Sequence, residues 1–570
     1  MIGSLPPALI LIVGGLMAPL VPGRMRKVLL ILLPVFSFLQ LLGLHPGDHA
    51  VVSAFGLKLT LLRVDRLSLV FAYIFHLAAF LSVIYALHVK EALEDSSALV
   101  YVGAAVGALF AGDLVTLFVY WELSAVASVF LIWSRRTPRA TSAGLRYLTV
   151  QVISGLLLLA GLVLRYQATK SIAFERMTLG EPGTWLIFLA FGIKCAFPLL
   201  HNWLQDAYPE ATVSGTVFLS AFTTKLAVYA LARGFPGTGI LIGIGVAMTL
   251  FPIFYAVIEN DLRRVLAYSL NNQLGFMVVG IGVGTPLALN GTVSHAFAHI
   301  LYKALLFMSM GAILFRAGTV KGSELGGLYK SMPWTTAFCI VGAASISAFP
   351  LFSGFVTKGM TLSATADGGH AAASLLLLFA SAGVLHHSGI RIPFHGFFGH
   401  DSGIRCKEAP PHMLVAMGVT AFLCIAIGVY PRPLYAILPH SDVTYRPYTA
   451  HHVILQGQLL LFAVLAFVIL KRRNLEPADV KGVNLDTDWS YRRLPRAVWA
   501  AVGVPVQRFA LGCRESAVQG LRRVLVGETG EGGILGYKLP KVSPISQLVA
   551  VSVLMLFVYL VVVFMRSAGR

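Results

Sequence analysis

The sequence predicts an all-α polytopic membrane protein with about 15–16 transmembrane helices. Three observations predict it. The 570 residues are 57% hydrophobic and only 12% charged, with a mean hydropathy of +0.79. Apolar runs long enough to cross a bilayer recur from one end to the other. The basic residues flank those runs and form no compact soluble patch.

Taken in order, the apolar runs fall at 4–22, 27–44 and 66–88 in an N-terminal group spanning 1–95. A second group, 96–234, holds 97–111, 114–133, 145–166, 184–205 and 211–233. A third, 235–390, holds 238–258, 263–283, 290–315, 333–363 and 371–389. The region 391–470 adds 411–436 and 452–470, and the region 545–570 adds a final anchor at 545–566. Between them, 471–544 is charged. From Trp489 to Val526 it reads as an amphipathic helix interrupted near Pro505, lying along the cytoplasmic interface with its basic face toward lipid headgroups. The glycine-rich stretch 527–536 lacks a P-loop lysine, which argues against phosphate binding.

The first run does not read as a cleaved signal peptide, because its positive charges, Arg24, Arg26 and Lys27, follow it. That order places the N-terminus outside. Loops after odd-numbered runs carry nineteen Lys or Arg against nine after even-numbered ones, so the odd loops are cytoplasmic, as in an inner (plasma) membrane protein. The net charge of +19 is therefore topological, and nucleic-acid binding is not expected. The five cysteines are scattered with no CxxC, which argues against an iron–sulfur cluster or structural zinc.

Two stretches echo one another. Ala196-Phe197-Pro198-Leu199 interrupts the seventh run and Ala348-Phe349-Pro350-Leu351 the twelfth, 152 residues later. Proline removes a helix donor and clashes with the preceding turn, so both runs are expected to break. Broken helices in corresponding places of two halves point to an ion path. The interval holds five runs, an odd number, which predicts two inverted five-helix repeats.

Ionisable residues inside apolar runs cost about 2.5–3.5 kcal/mol each on insertion scales and mark proton or ion paths by default. Here they are Glu122, Lys194, Lys225 and Lys358, with His295, His299 and Lys303 on one helical stripe at four-residue spacing. Burial favours the neutral form of a carboxyl or an amine, and an opposite charge favours the ionised form. Moving Glu122 against Lys194 would therefore change proton affinity. Threonines and serines beside Lys225 could hold water. Histidine both donates and accepts near neutral pH, which suits a relay. Two histidines at i, i+4 can also bind zinc, but that helix offers no acidic third ligand, so no metal site is expected. Asp113, Asp206 and Glu210 sit at helix ends and read equally as surface or gate acids, and His386 and His387 read equally as a wet helix end or as functional residues.

The stretches Phe118–Glu122, KCAFPLLHNWLQD from Lys194 to Asp206, Lys225, DLRRVLAYS from Asp261, HAFAHILYKALL from His295 and SGFVTK from Ser353 resemble one family. It is the antiporter-like membrane subunits of respiratory complex I, whose fold also occurs in Mrp-type multisubunit cation/proton antiporters. The resemblance covers most of residues 65–400. It implies that Glu122 and Lys194 form a coupling ion pair, Lys225 a bridge, His295, His299 and Lys303 a central relay, and Lys358 the exit. The stretch Arg391–Met413 and Asp486–Trp489 look most like the D-type component of Mrp antiporters, while the long amphipathic segment with its last span resembles the distal component of complex I.

The expectation is thus a proton-translocating subunit working with other membrane subunits, in exchange for Na+ or a similar cation. A redox-driven proton pump of the complex I or hydrogenase type, or a proton-conducting partner of inorganic-carbon uptake, are the alternatives. The chain carries no cofactor motif, so any redox chemistry would come from partner subunits.

Overall fold

The computed structural model describes residues 5–54, 56–473, 486, 487, 489, 493 and 497–526. The chain divides into two compact units, Met1–Asp486 and Thr487–Arg570. The expected anchor 545–570 and much of the segment 471–544 lie outside the described residues.

The first unit is helical. By length and apolar character, eleven described helices could cross a membrane, and Pro7–Leu20, Thr184–Lys194 and Pro333–Ile346 are shorter apolar helices. Helix Leu262–Val283 matches the expected run at 263–283 and buries the polar side chains of Asn271, Asn272 and Gln273. One element was not anticipated. Residues between the second and third runs form an antiparallel hairpin, Gly47–Ala54 with Leu57–Val64. Its Thr60 amide donates to Asp113 at 2.7 Å and its Thr60 carbonyl accepts from Gly112, so the hairpin is tied to the start of helix Leu114–Trp133.

Two stretches of this unit are built alike. Helices Ala92–Phe110, Leu114–Trp133 and Pro138–Thr169 have counterparts Ile240–Ile258, Leu262–Val283 and Pro286–Ala317, each starting 148 residues later. The details keep the same offset. Asp113 and Asp261 cap the second helix of each set. Thr137 and Thr285 cap the third, each followed by proline at the first helical position, where its missing N–H costs nothing. Leu114 donates to Ile172 O and Leu262 to Val320 O, at 2.8 and 3.0 Å.

Both AFPL stretches break their helices in the same way. Ala196 and Leu199 have φ of 61° and 70°, and Ala348 and Leu351 have 56° and 73°. Left-handed conformations at non-glycine residues cost about 1–2 kcal/mol each. Phe197 N reaches Gly192 O and Phe349 N reaches Ala344 O, both at 3.0 Å. Four strained residues in matching positions indicate that the break itself is what the fold preserves.

A third break carries no proline. The eighth run divides into Gly215–Ala221 and Thr223–Gly234 at Phe222, whose φ and ψ are −106° and −61°. Tyr101 from the neighbouring helix stitches it, its hydroxyl accepting from Thr223 N at 2.9 Å and lying 2.5 Å from Thr223 Oγ1.

Two charges counted in the loops are buried. Arg263 donates to Ala211 O at 3.0 Å and to the Thr216 hydroxyl, and Arg391 donates to Ala256 O at 2.8 Å. Their guanidinium groups satisfy carbonyls at helix ends and link elements distant in sequence.

In the second unit, a π-helical turn, Trp499–Gly503, leads into helix Val504–Val526. Val504 N bonds Trp499 O, five residues back, just before Pro505, which has no N–H to give. This is where the sequence places the interruption.

Asp113 caps its helix through Thr116 and also holds Thr60 of the hairpin, whereas Asp261 accepts from Arg263 N and Arg264 N of its own helix alone. Losing a cap costs about 1 kcal/mol. Asp113→Ala is therefore expected to lower the thermal stability of the purified assembly more than Asp261→Ala, as read by differential scanning calorimetry.

Candidate proton-transfer site

Lys194 ends helix Thr184–Lys194, directly before the first AFPL break, and is fully buried. Its Nζ donates to Trp121 O at 2.6 Å and Ser124 Oγ at 3.0 Å, and it lies 4.2 Å from the centre of the Trp121 ring. Glu122 is half-buried on the facing helix. The resemblance implies an ion pair here, but no Glu122–Lys194 contact within 4 Å occurs among the described ion pairs. The two interact through space. The ammonium is held by a backbone carbonyl and a hydroxyl instead, while Glu122 Oε1 is buried with no hydrogen-bond partner among the described residues.

Gly155 explains where the carboxylate lies. A Cβ on Gly155 would sit 1.6 Å from Glu122 Oε1. The glycine therefore makes the space that the carboxylate occupies.

Lys225 follows the Phe222 break and donates to Ser220 O at 2.5 Å. In an unbroken helix that carbonyl would accept from Thr224 N, so the break frees the acceptor that the ammonium uses. Cys195, the residue after Lys194, is an electrostatic neighbour of Lys225.

His295, His299 and Lys303 share helix Pro286–Ala317, all fully buried. His295 Nδ1 lies 3.2 Å from Thr357 Oγ1 on helix Ser353–Asp367, and its Nε2 lies 3.4 Å from the Tyr302 hydroxyl. Tyr302 in turn donates to Gln273 at 3.0 Å. Both nitrogens of His299 are buried without a hydrogen-bond partner among the described residues. Lys303 donates to Ser269 Oγ at 2.8 Å.

Lys358 donates to Ile346 O at 3.0 Å and lies 5.0 Å from the centre of the Phe276 ring. Ile346 O is the carbonyl that Pro350, lacking N–H, leaves unpaired. Lys358 also lines a cavity of about 460 Å³ with Asp367, Tyr445, Arg446, His451 and His452. The structure thus gathers Lys225, Lys303, Lys358 and both histidines into one electrostatically connected group. Glu122 and Lys194 form a second group beside it.

The remaining candidates resolve into local roles. Asp113 is a helix cap, Asp206 pairs with Arg146 at 2.6 Å, and Glu210 pairs with Arg135 at 3.2 Å. His387 is fully buried, not at a wet helix end. Sequence reasoning missed Trp121, Ser124, Gly155, Ser269, Tyr302, Gln273 and Ser388. Trp121, Ser269 and Tyr302 carried a signal, through the motifs that contain them. Asp486 is also buried, accepting from Tyr268 at 3.0 Å and lying 3.1 Å from His201 Nε2.

Residues 111–386 match the family described as NADH:quinone oxidoreductase/Mrp antiporter, TM. The chain is 26% identical over 471 residues to hydrogenase-4 component B of Escherichia coli K12, covering 72% of this chain and 70% of that protein. It is 31% identical over 272 residues to the D-type component of the Na(+)/H(+) antiporter of Alkalihalophilus pseudofirmus, covering 44% of this chain and 55% of the relative. A protein in the structure of the Mrp complex from Dietzia sp. DQ12-45-1b superposes with a TM-score of 0.67 at 21% identity, over 82% of this chain and 99% of that one. Residues 111–386 thus carry the membrane region shared by the antiporter-like subunits of respiratory complex I and Mrp-type antiporters. The chain is a multi-pass membrane protein by its eleven described helices long and apolar enough to span.

Gly155→Ala offers a precise perturbation, since only the mobile end of Glu122 has to move to admit the methyl group. The expected result is an assembled complex whose proton transport falls by about tenfold, the cost of about 1.4 kcal/mol in a pKa-linked transfer. Transport measured in inverted vesicles checks this, with the amount of assembled complex as the control.

Proposed function

We propose that this chain is the proton-translocating subunit of a multisubunit Na+/proton antiporter in the cell inner membrane. Protons pass along Glu122 and Lys194, Lys225, then His295, His299 and Lys303, and leave through Lys358. The observation that carries the reading is how the four buried lysines are held. Each rests on neutral oxygens, and none forms an ion pair within 4 Å among the described residues. A fixed carboxylate partner would lock the ammonium form. Carbonyl and hydroxyl acceptors stabilise it more weakly, so the amine can release its proton when a neighbouring charge arrives.

Glu122 acts as the movable charge. Nearer Lys194 it favours the ammonium, and farther away it favours release toward Lys225. The cavity beyond Lys358 supplies the way out. The matching breaks support two repeats of five helices, 96–234 and 235–390, inverted because five crossings separate them. The N-terminus then lies outside and the basic loops in the cytoplasm.

A second reading has its own support. Hydrogenase-4 component B matches 72% of this chain, which favours a redox-driven pump whose electron transfer resides in other subunits. The same proton line would serve both.

The intact complex in inverted vesicles separates the two. The antiporter reading predicts that Na+ added to an acidified vesicle releases protons without an electron donor. Proton uptake that needs a donor and ignores Na+ and K+ contradicts it. In either case Lys194→Ala or Glu122→Ala is expected to abolish transport, by about a hundredfold or more for a lost proton-transfer group, with assembly intact. Wild-type transport by both variants would sink the path.

A further inference from the structure

Helix Ala371–Val384 does not stop at His386 and His387. It continues as a π-helical turn, Leu385–Ile390, in which Arg391 N bonds His386 O five residues back. Such turns rotate the side chains around them and occur often at functional sites. His387 and Ser388 are fully buried here. His387 Nδ1 lies 2.8 Å from Ser388 Oγ, Ser388 Oγ donates to Ser269 Oγ at 2.7 Å, and Lys303 Nζ donates to that same Ser269 Oγ at 2.8 Å. The line is continuous across three helices. His387 Nε2, at its far end, is buried with no hydrogen-bond partner among the described residues.

We propose that His387 is a further proton-loading residue, feeding Lys303 through Ser388 and Ser269. The proposal rests on the reading of Lys303 as a relay lysine. The transfer begins with His387 as imidazolium and Lys303 as neutral amine. The Nδ1 proton passes to Ser388 Oγ, the Ser388 hydroxyl proton to Ser269 Oγ, and the Ser269 hydroxyl proton to the Lys303 lone pair. Three bonds to hydrogen break and three form. One positive charge moves from imidazole to ammonium, and both hydroxyls must rotate before the next transfer. Arg391, which follows the π-helical turn, donates to Ala256 O at the end of helix Ile240–Ile258 and so fixes the end of the turn.

Lys303, His386, Arg391 and Lys358 are the groups that act electrostatically on His387. All are cationic when protonated, so positive charges on His387 and Lys303 repel one another.

The test uses the intact complex in inverted vesicles, with Lys194→Ala as the reference. His387→Gln and Ser388→Ala are expected to assemble and to lower proton transport by about tenfold or more, as for loss of a proton donor. Ser388→Thr, which keeps the hydroxyl, is expected to recover most of the loss seen in Ser388→Ala, an outcome that packing alone does not produce. If His387→Gln fails to assemble, the Ser388 pair decides. Wild-type transport by Ser388→Ala while Lys194→Ala is inactive overturns the branch and leaves the main path standing. Wild-type transport by Lys194→Ala overturns the main reading instead.

Discussion

The structure depends on how an ammonium group survives at membrane depth without a carboxylate. Lys225 and Lys358 each take a backbone carbonyl that a helix break has released, Ser220 O and Ile346 O. Lys194 takes Trp121 O and Ser124 Oγ, and Lys303 takes Ser269 Oγ. An unpaired carbonyl in an apolar interior costs several kcal/mol, and so does an unpaired ammonium. Bringing the two together offsets both costs. It leaves an amine whose proton is held by a dipole, not by a full opposite charge.

That arrangement accounts for the strain at the second break, where Ala348 and Leu351 are left-handed and Ile346 O is released to Lys358. The first break repeats the same left-handed pair at Ala196 and Leu199, directly after Lys194. The cap aspartates Asp113 and Asp261, the long helices capped by Thr137 and Thr285, and buried Arg263 then fix the flanking segments, so that a discontinuous helix does not loosen its neighbours.

Much of this was legible in the sequence because hydropathy and proline act locally. The apolar runs located the helices, and Pro198 and Pro350 located two breaks. Lys194, Lys225, Lys303 and Lys358 stood out as charges in apolar surroundings, and each is buried. What was not legible depends on contacts distant in sequence. The Phe222 break has no proline or glycine, and the contact that satisfies it comes from Tyr101, over a hundred residues away, which accepts from Thr223 N. The hairpin is short and mixed in polarity and sits between two spans. The separation of Glu122 from Lys194 depends on the missing Cβ of Gly155 on a third helix. The end of an apolar run leaves a wet and a functional His387 equally open, whereas a π-helical turn carries the helix onward and buries it.

The central claim is that these lysines change protonation state during transport. It is tested most directly by solid-state nitrogen-15 NMR of the intact complex in lipid, with lysine side chains labelled. Lys225 and Lys358 would be assigned by the loss of their signals in Lys225→Met and Lys358→Met. The account predicts a neutral-amine population at one or both sites that shifts when an ion gradient or electron donor drives transport. Signals that remain fully ammonium at both positions, at rest and under drive, would contradict it.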